Sequence, residues 1–245
     1  MLVTSVEADA FGTNCFIVAA GAGEPCIVVD PGIGVVTRLD EVLAEHRLDP
    51  VAVLLTHGHL DHTFSVAPVC GARGITAYIH PADRELLAHP EKALSSDLDA
   101  LFGGRLRFTE PDDVTELPDR GPIHVAGLEI TIDHAPGHTR GSVLFRLPGS
   151  ASAILDVPGA RPGRGIELPD VCLAGDVLFA GSIGRTDLPG GSMAEMMVSL
   201  RDRILPLADE TLVLPGHGPA TTIGRERAGN PYLREVIEPG KLRGW

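Results

Sequence analysis

Thr56-His57-Gly58-His59-Leu60-Asp61-His62 is the stretch from which the reading of this chain proceeds. It places four ionisable side chains within six residues, directly after the apolar run Val51 to Leu55, which reads as a buried strand. In extended chain, side chains at i and i+2 point to one side, so His57 and His59 can share a cation. Asp61 and His62, at the expected start of the next helix, can turn toward a second. A bare H-x-H pair arises by chance on solvated surfaces. The full H-x-H-x-D-H is hard to explain without a metal, because a borderline-soft divalent ion accepts imidazole nitrogen and carboxylate oxygen at roughly 2.0–2.2 Å.

Outward from this cluster, short apolar runs bounded by Gly, Pro and Asp predict strands at Leu2 to Glu7, Asn14 to Ala19 and Cys26 to Val29. Thr37 with Asp40 resembles a capping box for a helix that runs through Leu39, Val42, Leu43 and His46 and stops at Asp49-Pro50. Past the histidines, a helix is expected over Phe64 to Cys70, ending at Gly71, then a strand at Ile75 to Ile79 and a short helix from Pro81 to His89. This succession favours layered α/β architecture. Glu91 to Leu117 reads as irregular, with Leu94, Leu98 and Leu101 as one apolar stripe.

Strands resume at Ile123 to Val125, Leu128 to Ile132 and Ser142 to Leu147, so the second half begins much as the first did. Residues 148–169, rich in Gly, Pro and Ala, read as a surface insertion in a single domain spanning 1–245. Val171 to Ala174 and Val177 to Phe179 are expected strands on either side of Gly175-Asp176. Ser192 and Glu195 form a capping box for a helix whose Met193, Met196 and Met197 read as core fillers. Thr211 to Leu214 is the last strand, leading into Pro215-Gly216-His217-Gly218.

The balance of 20 basic against 33 acidic residues, −13 in net charge, works against a nucleic-acid partner. No apolar run approaches the ~18 residues a spanning helix needs. The first residues lack the layout of a signal peptide, so a cytoplasmic location and a small-molecule substrate are the expectations. Cys15, Cys26, Cys70 and Cys172 show no C-x-x-C spacing and read as buried free thiols.

Of ten histidines, His57, His59, His62, His138 and His217 stand where expected strands end. H-x-H-x-D-H together with Pro136-Gly137-His138-Thr139, Ala174-Gly175-Asp176 and Pro215-Gly216-His217-Gly218 resembles the metallo-β-lactamase superfamily, from about Phe11 to Pro231. The resemblance implies a four-layer αβ/βα sandwich with the metals at one edge. It implies that His57, His59 and His138 bind one metal and Asp61, His62 and His217 another. Asp176 would bridge them, and Asp30 would serve a structural role beside them. Two divalent ions are implied, zinc first, with iron and manganese suited to the same donors.

Asp176, where the best-known β-lactamases carry Cys, argues against antibiotic hydrolysis. Ala180 to Asp187, with Arg225-Glu226-Arg227 and Asn230-Pro231, resembles the short bacterial glyoxalase II-like hydrolases, which cleave S-acylglutathione thioesters such as S-lactoylglutathione. Only 28 residues follow His217, so the helical C-terminal domain of larger glyoxalase II enzymes is not expected. The expected reaction is attack of a metal-bridging hydroxide on the thioester carbonyl, with Asp61 as the catalytic carboxylate and Arg185, Arg225 and Arg227 as candidates for holding a substrate carboxylate. The same scaffold also hosts a persulfide dioxygenase with a single iron, and lactonases or other ester hydrolases.

Overall fold

Two mixed sheets packed face to face hold the chain together, and the strand sequences explain why. The computed structural model describes residues 1–93, 108–157, 159 and 163–240; of residues 151–155 and 163–168 it describes the backbone alone. β1 (Leu2–Glu7), β2 (Asn14–Ala19), β3 (Pro25–Val29), β4 (Asp49–Leu54), β5 (Thr76–Ile79) and β6 (Val114–Glu116) belong to the first sheet. β7 (Arg120–Val125), β8 (Leu128–His134) and β9 (Val143–Leu147) open the second. β10 (Ser150–Asp156) and β11 (Gly163–Leu168) return to the first, giving the order β11-β10-β1-β2-β3-β4-β5-β6. β12 (Val171–Gly175), β13 (Leu212–Pro215) and β14 (Thr221–Thr222) complete the second, ordered β14-β13-β12-β9-β8-β7.

Alternation along each strand assigns the layers. Val3, Phe16, Val18, Ile27, Val29, Ala52 and Leu54 meet Ile130, Ile132, Phe145, Leu173 and Leu214 between the sheets. Their neighbours Leu2, Cys15, Ile17, Val28 and Val53 face the other way, onto Leu39, Leu43, Val66 and Val69 of α1 (Val36–His46) and α3 (Val66–Arg73). On the far side, Cys172, Ala174 and Val213 pack against Met196 of α4 (Met193–Ser199), Leu200 and Ile204 of the π turn that continues it, Ile223 of α5 (Ile223–Gly229) and Leu233 of α6 (Pro231–Ile237). Strands covered on both faces need apolar residues at every position, which is why these runs read as continuous rather than alternating. The result is the expected four-layer αβ/βα sandwich.

Several local expectations change. α1 begins at Val36 with no side-chain cap, so Thr37 lies inside the first turn; it ends at Arg47, which adopts the left-handed conformation. Asp49-Pro50 opens β4 instead of merely stopping the helix. Pro50 sits where the β3–β4 register shifts, an irregularity that accommodates a residue without an N–H. The helix expected over Phe64 to Cys70 is α3, which starts at Val66; the short α2 (Leu60–Thr63) precedes it, and Ser65 between the two is tied to the carbonyls of Pro31 and Gly32. Gly74, with φ of 64°, ends α3, and Gly71 lies within it.

Val177 to Phe179 forms no strand: Gly175, at φ 47°, bends the chain at Asp176, Val177 N–H bonds back to Ala174, and Phe179 makes a single bridge to Ser182. Residues 148–169, expected as a surface excursion, include β10 and β11, with β10 paired in parallel to β1 and β11 forming the sheet's edge. Of the methionines in α4, Met196 is buried, Met197 packs against the core and Met193 is exposed. The stripe at Leu94, Leu98 and Leu101 lies outside the described residues.

All four cysteines are free and buried. Burial pushes Cys26 and Cys172 up to about 12 and Cys70 up to about 11, and raises Cys15 further. A raised pKa keeps each thiol protonated and unreactive below it. At pH 8 the native protein is expected to resist a disulfide-forming thiol reagent, and guanidinium unfolding to release four reactive equivalents, followed by absorbance. Leu54→Ala, which empties a fully buried position between the sheets, is expected to destabilise the fold by about 2–5 kcal/mol in urea denaturation.

Candidate metal centre

The seven predicted metal-binding residues meet at one edge of the sandwich, five of them beyond strand ends and two on a short helix. β4 leads to His57 and His59, β8 to His138, β12 to Asp176 and β13 to His217, while α2 carries Asp61 and His62. The two sheets are joined here, since Val143 N–H bonds to the Thr56 carbonyl at 2.8 Å. A Cβ at Gly175 would run into Thr56, and one at Gly216 into Asp176 and His62. The site closes because these two positions have no side chain.

Ligand-capable atoms of His57, His59 and His138 lie within 4.8 Å of one another, as do those of Asp61, His62 and His217. Asp176 stands between the sets: Oδ1 is 3.4 Å from His62 Nε2, and Oδ2 is 3.4 Å from His138 Nε2 and 3.5 Å from His217 Nε2. Atoms bound at roughly 2.0–2.2 Å around one tetrahedral centre lie about 3.3–3.6 Å apart, so this spacing is that of neighbouring ligands. Nε2 of His57, His59 and His138 and Oδ1 of Asp176 are buried without a hydrogen-bond partner. Buried polar atoms are otherwise almost always paired, and a shared cation is the partner this geometry fits.

Hydrogen bonds set the ring tautomers. The Thr56 hydroxyl donates its one proton to Asp30 Oδ2 at 2.5 Å, so at 3.1 Å it can only accept from His57 Nδ1. His62 Nδ1 donates to Asp30 Oδ2 at 3.0 Å, His138 Nδ1 to the Arg185 carbonyl at 2.7 Å and His217 Nδ1 to the Phe11 carbonyl at 3.1 Å. Each of these acceptors holds the proton on Nδ1 and leaves the Nε2 lone pair aimed into the site.

The electrostatics divide the cluster. Burial, then the neighbouring His62, His138 and His59, hold His57 well below the ordinary histidine value, and burial with His138 brings His59 down to about 3. Burial also disfavours charge on His62, but Asp61, Asp176 and Asp30 outweigh it and raise it to about 10. His217 is raised in the same way against its burial, by Asp61 and Asp176, and His62 with His217 lowers Asp61 despite desolvation. His62 and His217 bring their Nε2 atoms to 3.2 Å, each within 3.6 Å of the Asp61 and Asp176 carboxylates, whose charge favours protons on these rings. Ligands must lose such protons before they bind a cation.

Of the three arginines considered for substrate binding, the structure brings only Arg185 to the cleft. It pairs with Asp187 at 2.7 and 2.9 Å. Arg227 is turned away, donating to the carbonyls of Leu205 and Leu207 and pairing with Asp209, and Arg225 is exposed on α5. His134, four residues from His138, stacks on His80 with ring centroids 4.1 Å apart. Their planes differ by 7°, and each ring has its own partner, His80 Nε2 with Asp119 at 2.9 Å and His134 Nε2 with the Arg140 carbonyl at 2.8 Å.

Sequence reading missed the residues that hold the loops. Asn14 clamps the last ligand loop, its side chain donating to the carbonyls of Pro215 and Gly218 at 3.0 and 2.9 Å. Glu226, 2% exposed, accepts from Gly181 N–H, the Thr221 hydroxyl and Asn230, and so braces the turn beside Asp176. An Arg-Glu-Arg run on a helix gives no sign that its middle residue points inward.

A metal-dependent hydrolase is the class this fold and donor set define. The model of the metallo-beta-lactamase superfamily matches residues 8–150, and the chain belongs to that superfamily. An uncharacterized protein of Mycobacterium tuberculosis is 42% identical over 95% of this chain and 98% of its own length. Hydroxyacylglutathione hydrolase GloC of Haemophilus influenzae is 33% identical over 95% of this chain and 98% of its own. Among solved structures, BLEG-1, a B3 metallo-beta-lactamase, is 31% identical at TM-score 0.77, covering 94% of this chain and 99% of that one. TTHA1623 in a di-iron-bound form is 34% identical at TM-score 0.71 with the same coverage.

Replacing Glu226 with Ala would leave three donors unpaired, at about 1–3 kcal/mol for each that stays buried. The expected outcome is a clear fall in melting temperature, read by circular dichroism.

Proposed function

We propose that this hydrolase cleaves thioesters of the S-acylglutathione type, S-lactoylglutathione among them, or of a related low-molecular-weight thiol, in the cytoplasm. The observation that carries the reading is a donor set whose His59, Asp61, His138, Asp176 and His217 line a cleft of about 400 Å³, with four buried donor atoms lacking a hydrogen bond and every cysteine buried and out of reach as a nucleophile. The name of the GloC relative supports the substrate class, and four free thiols suit a reducing compartment.

His57, His59 and His138 would hold one ion and Asp61, His62 and His217 the other, with Asp176 between them. Zinc fits these nitrogen and carboxylate donors first, and iron and manganese fit them as well. Bound there, such ions supply acidified water and a counter-charge for the oxyanion of acyl transfer. Asp61, 24% exposed at the cleft floor and receiving the Thr13 hydroxyl at 3.3 Å, would orient the attacking water and take its proton. Phe11, Leu60, Phe179 and Leu188 line the cleft and exclude bulk water from the carbonyl. Arg185 meets a substrate carboxylate by exchanging Asp187. The leaving thiolate, with a free-thiol pKa of about 8.5, departs without a dedicated acid.

Purified protein is expected to hydrolyse S-lactoylglutathione in preference to a chromogenic cephalosporin or a lactone, and to take up no oxygen with glutathione persulfide. His57→Ala and Asp176→Ala are expected to lower turnover by about 10²-fold or more with unchanged circular dichroism. Thioester hydrolysis that survives complete removal of metal would overturn the reading. Oxygen uptake on the persulfide with one bound iron would replace it with dioxygenase chemistry.

A further inference from the structure

Asp83 lies in the tight helical turn Pro81–Leu87, is 1% exposed and does not line the cleft. Its carboxylate is nevertheless saturated by the two loops that carry His57, His59 and His138. Oδ2 accepts from Gly58 N–H at 2.9 Å and from the Thr139 hydroxyl at 2.6 Å, and Oδ1 accepts from Gly141 N–H at 2.7 Å. Gly58 separates His57 from His59 at the end of β4, in the eight-stranded sheet. Thr139 follows His138 beyond β8, in the six-stranded sheet. One buried carboxylate therefore cross-links the two sheets at the first donor set.

Both loops are cut to fit it. A Cβ at Gly141 would stand 2.6 Å from Asp83 Cγ, and one at Gly58 would meet Leu86 at 2.8 Å and the Asp83 carbonyl at 3.0 Å. Thr139 gives its proton to Asp83, so at 2.8 Å Ser142 Oγ donates to the Thr139 hydroxyl, while accepting Thr139 N–H at 3.1 Å. The arrangement demands an acceptor at both carboxylate oxygens. An amide at position 83 would turn its NH₂ against either Gly141 N–H or Gly58 N–H. The second donor set is held by other groups: Asp30 for His62, the Phe11 carbonyl for His217 and the Thr13 hydroxyl for Asp61.

The geometry points to Asp83 as a positioning residue that sets the separation of His57 and His59 from His138, and so governs metal affinity at that set and not at the other. This rests on the two-ion reading proposed above. The test titrates zinc into chelator-stripped wild type, Asp83→Asn and Thr139→Val against a chromophoric chelator, with thermal melts of the stripped proteins alongside. Wild type is expected to take two tight equivalents. Asp83→Asn keeps one at wild-type affinity and weakens the other about 10- to 100-fold. Thr139→Val, which removes one of the three bonds at similar volume, weakens the same equivalent by less and carries the test if Asp83→Asn does not fold. Two equivalents unchanged in the folded variants, or both weakened alike, would overturn the assignment to Asp83 alone. A wild type that binds no zinc would overturn the two-ion reading along with it.

Discussion

The carboxylate of Asp30 is the contact on which the site's geometry depends. It is buried at the end of β3, in the left-handed conformation that Asp tolerates better than most residues, and it receives Thr56 N–H, the Thr56 hydroxyl and His62 Nδ1. Through Thr56 it fixes the tautomer of His57, and directly it aims His62. One anion thereby orients a ring in each donor set. A buried charge is tolerable only when its lone pairs are satisfied, and three donors at 2.5 to 3.0 Å meet that demand.

Asp30, Asp83 and Glu226 show one pattern at three places. Each is at least 98% buried, lies outside the donor set and draws together chain segments far apart in sequence. The sandwich supplies two stiff sheets whose strand ends face the same way, but stiffness alone does not set loop positions to a few tenths of an ångström. The carboxylates do that, because charge-assisted hydrogen bonds are short and directional. The apolar core and the polar edge thus divide the labour, one fixing the sheets and the other the loops.

How much of this was legible follows the same division. Strands covered on both faces write themselves as unbroken apolar runs, so β1 to β4 and β12 to β13 could be read directly. Histidines beyond strand ends were legible because several appear together and no core needs them. The bracing residues were not: Asp83 looks like an ordinary acid at a helix start, and Glu226 sits between two arginines. Their roles depend on which distant loop they meet. The same limit misplaced Arg225 and Arg227, since a guanidinium reads alike whether it faces a cleft or the carbonyls at a helix end. Boundaries at Gly71 and Thr37 failed for a nearer reason. Gly74, in the left-handed conformation, ends the helix three residues beyond Gly71, and Val35, already helical, starts the other ahead of Thr37.

The pairing of β1 with β10, and of Asn14 with the loop around His217, gives the chain a particular order of birth. Its first two strands are flanked in the finished molecule by segments made some 150 and 200 residues later. At about 5–20 residues per second, His57, His59 and His62 leave the ribosome on the order of 10 s before His217 does. In that interval the histidine cluster is a half-built chelate on an incomplete sheet. Closure comes with the last strand, so the C-terminal quarter of the chain decides when the N-terminal quarter acquires its chemistry.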